Sequence, residues 1–150
     1  MAERIKQDYK KYYDIIELIG VGVYGFVYKV KDKNTNELKA IKVMDLNKIR
    51  TYFMNIYEKE EEIEKQIKLC VDGFITEYNN MKICSNNNIN SVKCYEYFNN
   101  DNYFAIVMEL CDNDLSKLLL EKKKDKFNKD EILDIMKQLN NTFKIRKYIN

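Results

Sequence analysis

The sequence predicts an α+β fold, and three observations predict it. Runs with a two-residue alternation of apolar side chains flank a glycine-rich segment within the first 44 residues. A long stretch over residues 58–84 repeats its apolar side chains at steps of three and four. A second stripe of helical period follows Asn128. Strand side chains alternate between faces and helix side chains return every three to four residues, so the two periods mark different elements.

The elements follow in order. Tyr13-Asp14-Ile15-Ile16-Glu17-Leu18-Ile19 reads as a strand. Gly20-Val21-Gly22-Val23-Tyr24-Gly25-Phe26-Val27 comes next, a G-x-G-x-x-G-x-V segment. After it, Phe26, Tyr28 and Val30 alternate with Val27, Lys29 and Lys31, a second strand. Strands on both sides make the glycine segment the tip of a hairpin lid. A dinucleotide-binding loop would instead open a helix, and no helical pattern starts at Gly25. No G-x-x-x-x-G-K-[ST] occurs either. Asn34-Thr35-Asn36 supplies a turn, because Asn tolerates turn backbone. In the third strand Leu38, Ala40 and Lys42 share one face. Lys42 lies between Ile41 and Val43 in the apolar run 40–44.

Over residues 58–84, Ile63, Ile67, Cys70, Phe74, Tyr78 and Met81 recur at steps of four, three, four, four and three, one face of an α-helix. Gly73 interrupts it at a cost of roughly 1 kcal/mol against Ala and marks a kink or a break. Glu58, Glu60, Glu61, Glu62 and Glu64 form a solvated helix start, suited to the positive end of the macrodipole. Asn99-Asn100-Asp101-Asn102 is a turn. The apolar run 103–108 is a buried strand. Residues 115–124 form a short helix with the basic end Lys122-Lys123-Lys124. Asn128 and Glu131 give a capping-box pattern for a last helix, whose stripe is Ile132, Ile135, Met136, Leu139 and Phe143.

The chemistry begins with phosphate. Backbone N–H groups hold it well only where the chain comes close, and Gly20, Gly22 and Gly25 lack the Cβ that would prevent approach and turning. Ala40 leaves room for a flat base two residues before Lys42, whose ammonium points the same way. A lysine on an inward face needs a partner or a ligand.

The glycine segment followed by Ala40-Ile41-Lys42 resembles the ATP-binding half of a eukaryotic-type serine/threonine protein kinase. The resemblance covers about residues 12–145. It implies a small lobe made of a five-stranded antiparallel sheet with one long helix, then an incomplete helical large lobe. Residues 89–98 are similar to the family's fourth strand. Phe74-Ile75-Thr76-Glu77-Tyr78-Asn79-Asn80-Met81-Lys82 resembles the segment around the family's helix glutamate, which makes Glu77 the partner of Lys42. Met108-Glu109-Leu110-Cys111 resembles the hinge between lobes. By that match Met108 lies beside adenine, the backbones of Glu109 and Cys111 bind its edge, and Asp114 lies near the ribose. The implied nucleotide-binding set is Ile19, Gly20, Val21, Gly22, Gly25, Val27, Ala40, Lys42, Glu77, Met108, Glu109, Cys111 and Asp114. The spacing from Lys42 to Glu77 is long for the family, so residues 45–62 read as an insertion.

The 150 residues contain no histidine, hence no H-R-D, and no D-F-G. No residue matches the family's catalytic base or its magnesium ligands. The expected division is a tail over 1–11, a nucleotide lobe over 12–110, and a hinge with the first helices of a truncated large lobe over 111–150. The parent activity implied is transfer of the γ-phosphoryl group of ATP to protein Ser or Thr. This chain is expected to be inactive itself. A non-catalytic module that binds nucleotide or a partner, and a fragment without function, remain the other readings.

Composition excludes several classes. Charge is balanced, 26 basic against 24 acidic residues, which implies neither nucleic acid nor membrane. Cys70, Cys84, Cys94 and Cys111 show no metal spacing, and with histidine absent zinc is not expected. No signal peptide is read, and no apolar run reaches membrane-spanning length. The chain is expected in the cytoplasm. The cofactor expected is ATP, with magnesium implied by the family only. Another protein is a possible partner of the apolar helices over 115–145.

Overall fold

The computed structural model describes residues 8–87, 89–122 and 127–146, and the side chains of these apart from 87 and 142–146. Lys123, Lys124 and Phe143 of the features above lie outside the described residues or side chains.

Five strands form one antiparallel sheet: β1 (Tyr13–Val21), β2 (Gly25–Asp32), β3 (Leu38–Asp45), β4 (Cys94–Asn99) and β5 (Tyr103–Glu109). Their order is β1-β2-β3-β5-β4. The helices are α1 (Leu46–Met54), α2 (Glu60–Asn87), α3 (Leu115–Glu121) and α4 (Lys129–Arg146). The α+β class and the five-stranded sheet agree with the sequence reading.

The turns have local causes. Between β2 and β3, Asp32 Oδ1 accepts from the backbone N–H of Asn34 and Thr35, and Asn36 takes the left-handed conformation at φ 62°. Between β4 and β5, Asn100 Oδ1 accepts from the N–H of Asn102 and Tyr103. The capping box at α4 is reciprocal: Asn128 Oδ1 accepts from Asp130 and Glu131, and Glu131 Oε2 accepts from Asn128 N–H.

The sheet has a core on each face. One gathers Tyr13, Val30, Ile41, Val43, Phe98, Ala105 and Val107 with Tyr9. Tyr9 is only 4% exposed, so part of the stretch read as a tail belongs to the lobe. The other core lies under α2. Ile63, Ile67 and Phe74 are buried there, with Cys70, Tyr78 and Met81 packed against them. That is the face the periodicity selects. Gly73 breaks nothing, since α2 runs unbroken past it.

Residues 45–62 contain an element the sequence reading lacks. Asp45 caps α1, its Oδ1 accepting from the N–H of Asn47 and Lys48. Ile49 and Phe53, one helical turn apart, are buried in the α2 core. Arg50 ion-pairs with Glu60 and Glu64 in the first turns of α2. The α1 helix is therefore docked on the lobe.

Helices α3 and α4 are less covered. No residue of α3 is buried. In α4, Leu133, Met136 and Leu139 are exposed. Among the described residues no helix is long and apolar enough to cross a membrane.

Candidate functional site

Lys42 and Glu77 come from β3 and α2. The register pairs Lys42 with Val27 on one side and Ile106 on the other, so its side chain leaves the sheet on the α2 face. There Lys42 Nζ donates to both Oε1 and Oε2 of Glu77 at 2.7 Å. The two side chains are 38% and 40% exposed, so the pair stands in an open cleft rather than in the interior. The Phe74 ring lies beside the ammonium, 5.7 Å from centroid to Nζ.

A cavity of about 500 Å³ opens at this pair, roofed by the β1–β2 tip. Gly22, Gly25, Val27, Lys42 and Glu77 line it. Val23, Tyr24, Leu69, Cys70 and Gly73 line it as well and were missed in the sequence. Cys70 and Gly73 lie seven and four residues before Glu77, so helical spacing from Glu77 was the available signal. Burial pushes the Cys70 thiol pKa up, which keeps it protonated and a weak nucleophile near neutral pH.

A second cavity, about 440 Å³, lies at the end of β5. Ile19, Ala40, Met108, Glu109, Cys111 and Asp114 line it, together with the cross-strand pair Glu17 and Lys29. Ala40 faces Met108 in the register, so the small residue and the end of β5 frame one slot. Asp114 caps α3, its Oδ1 accepting from Lys117 N–H at 2.8 Å. Burial, then Glu109 and Asp112, push the Cys111 thiol pKa up.

Of the residues singled out in the sequence, Gly20 and Val21 line neither cavity. Val21 is 68% exposed. Both belong to β1, where Gly20 pairs with Val27 and Val21 with Phe26. For the glycines, packing adds a requirement to the one read from the sequence. None has positive φ among the described residues. Gly25 is required by packing: a Cβ there would meet the Val43 carbonyl oxygen at 1.8 Å.

A lid over a paired lysine, beside a slot at the end of a strand, is a nucleotide-site arrangement. The sequence matches the family model for the protein kinase domain over residues 13–145. The chain belongs to the protein kinase family. It is 26% identical over 127 residues to the zebrafish (Danio rerio) serine/threonine-protein kinase PLK4, covering 85% of this chain and 12% of that protein. It is 31% identical over 129 residues to cyclin-dependent kinase 12 of Drosophila melanogaster, covering 85% of this chain and 10% of that protein. Against cyclin-dependent kinase 12 of Caenorhabditis elegans it is 30% identical over 128 residues, again 85% of this chain and 16% of that protein. The chain thus spans between 10% and 16% of the length of these curated relatives.

In kinase terms, the fold supplies an ATP-binding lobe, and the groups present suit a nucleotide: a cation held by a carboxylate, a glycine lid and a slot framed by Ala40 and Met108. They do not suit a metal. Among the described residues no three His, Cys, Asp or Glu side chains gather where they could hold an ion. No metal-dependent step is assigned to these residues.

Proposed function

We propose that these residues are the nucleotide-binding part of a serine/threonine protein kinase, and that the 150-residue chain alone binds ATP without transferring its phosphoryl group. The observation that carries the reading is the bidentate contact of Lys42 with Glu77 beneath the lid. A lysine ammonium is a compact point charge on a flexible stem. Glu77 holds that charge in the cleft, where the α- and β-phosphates would meet it. Gly22, Gly25 and Val27 would cover the phosphates. Ile19 and Ala40 would sandwich the base beside Met108, with the backbones of Glu109 and Cys111 at its edge and Asp114 toward the ribose. ATP supplies the transferable γ-phosphoryl group. The groups that activate an acceptor hydroxyl and bind the metal have no counterpart among these residues.

The test is calorimetry with adenosine and with ATP. Both are expected to bind, with similar weak affinities, because the slot is present and the metal-held end is not. Lys42→Ala is expected to leave adenosine binding unchanged and to weaken ATP about two- to fivefold, the effect of one exposed charge contact. Binding of neither ligand removes the reading. Radiolabelled ATP with a generic protein substrate is expected to give no turnover above buffer, and turnover surviving removal of contaminating kinases would contradict the second half.

One observation favours a second reading, a non-catalytic module that engages another protein. Helices α3 and α4 present Leu119, Leu120, Ile132, Met136 and Leu139 at 46–60% exposure. Exposed apolar side chains mark an interaction surface where they gather into a patch.

A further inference from the structure

We propose that Lys48 of α1 is a positioning residue for the glycine lid. By this proposal it holds the Gly22–Val23 peptide so that the Val23 N–H faces the cleft, and α1 ties that setting to α2. The proposal rests on the reading of the lid as the cover of a nucleotide's phosphates.

Five contacts join α1 and its cap to the lid. Lys48 Nζ donates to the Gly22 carbonyl oxygen at 3.0 Å. The same ammonium stands 4.3 Å from the centroid of the Phe26 ring. Asp45, the cap of α1, donates its backbone N–H to the Tyr24 carbonyl at 3.0 Å. The Tyr24 ring packs on Tyr52 and Phe53 of α1, with centroids 6.0 and 6.1 Å away. The far side of α1 is anchored in turn. Phe53 and Ile49 are buried against α2, and Arg50 pairs with Glu60 and Glu64. Glu77, the partner of Lys42, lies on that same α2.

The side from which Lys48 arrives decides its role. Val27 pairs with Lys42 and faces the cleft. Phe26 is the neighbour of Val27 on the same strand, so its side chain leaves the sheet on the opposite face. Lys48 over Phe26 therefore approaches the lid from outside and does not compete with Lys42 for phosphate. What it touches is a carbonyl. A trans peptide directs its C=O and the next N–H in opposite senses. Holding the Gly22 oxygen outward turns the Val23 N–H inward, and Val23 lines the cavity that Lys42 and Glu77 line. The Gly22 N–H is already used within the tip, donating to the Gly25 oxygen at 2.9 Å. Val23 thus offers a backbone donor toward an anion, and Lys48 fixes its direction in advance. Without the ammonium this peptide is free to rotate its donor away, because Gly22 has no Cβ to oppose a flip.

The experiment compares the parent chain with Lys48→Met, Lys48→Arg and a control, Lys68→Met, which removes an equal charge from an exposed site on α2. Methionine keeps an apolar stem over Phe26 and loses the donor. Lys48→Met is expected to weaken ATP roughly three- to tenfold, the net worth of one typical hydrogen bond. Adenosine binding should not change, Lys48→Arg should restore ATP affinity, and Lys68→Met should match the parent. Without any ligand, amide exchange of Val23 and Tyr24 followed by NMR should quicken in Lys48→Met alone. ATP affinity in Lys48→Met within about twofold of the parent, with adenosine still bound, overturns the proposal. A loss shared by Lys68→Met also overturns it, since net charge would then explain the effect. If the parent binds neither ligand, the nucleotide reading fails, and lid exchange alone decides: quickened in Lys48→Met, the clamp stands; unchanged, it falls.

Discussion

A Cβ added at Gly25 would stand 1.8 Å from the Val43 carbonyl oxygen and 2.9 Å from its carbon. Both atoms are backbone of the neighbouring strand, so nothing there can swing aside. Gly25→Ala must part β2 from β3 at the root of the lid, which we expect to cost about 3 kcal/mol or more. At Gly73 the same addition meets nothing within 4 Å. Gly73 sits inside α2, where alanine is favoured by about 1 kcal/mol. Gly73→Ala should therefore raise the melting temperature by about 2–4 °C. Thermal unfolding of the two variants checks the pair, and a destabilised Gly73→Ala or a neutral Gly25→Ala would contradict it. Strand packing gives Gly25 a requirement that the motif alone does not name. A glycine needed for phosphate approach and one needed for strand packing look identical in sequence, and only the register that sets Gly25 beside Met44 separates them. Lys42 and Glu77 were legible because a resemblance names both. Cys70 and Gly73 were within reach by helical spacing from Glu77, whereas Leu69 reaches the cleft only once packing has fixed the rotation of α2.

The β2–β3 hairpin turns on a residue that the sequence reading passed over. Asn36 takes the left-handed backbone that asparagine tolerates, at φ 62°, and the side chain that accepts the turn's amides is Asp32. Asp32 is 8% exposed and accepts from Lys39 Nζ at 2.8 Å, as well as from two backbone amides of the turn. The Lys39 ammonium, helped by the N–H groups of Asn34 and Thr35, holds the Asp32 carboxyl below its ordinary value of 3.8 against the opposing effect of burial. A carboxylate whose folded pKa is lowered stabilises the fold above its unfolded pKa, and that contribution is lost as pH falls through the folded value. Asp32→Asn should cost roughly 2–4 kcal/mol at neutral pH, somewhat below the loss of one partner from a fully buried pair. Below pH 4 the gap between parent and variant should narrow. Melting temperatures over pH 2–7 read this directly, and a constant gap would mean the carboxylate's charge is immaterial. The two helices under the sheet differ in legibility for a related reason. The α2 stripe persists over five turns, whereas α1 buries only Ile49 and Phe53, too few positions to stand out in an unassigned stretch.

Across the whole molecule, packing is uneven. The sheet carries a core on both faces, and seven described side chains in it or beneath it, among them Phe98, Ile41 and Ile106, are fully buried. The α3 helix has no buried residue, and α4 leans on α2 with much of its apolar stripe in solvent. A fully buried Leu or Ile side chain contributes about 1.5–3 kcal/mol relative to an exposed one. Leu119, Leu120, Ile132, Met136 and Leu139 forgo most of that, so α3 and α4 are held largely by caps and their own backbone bonds. The seven-residue α3 is marginal without tertiary burial, and most stability of a helix such as α4 comes from packing of its apolar face. Amide exchange resolved by segment should therefore divide the chain. Residues 13–109 should open only with the free energy of global unfolding, and residues 115–141 should exchange far sooner through local opening. Self-association that covers the stripe would slow the second segment in proportion to protein concentration. Uniform strong protection in a chain shown to be monomeric by sedimentation would mean that α3 and α4 bury their apolar side chains in solution, against the arrangement described above.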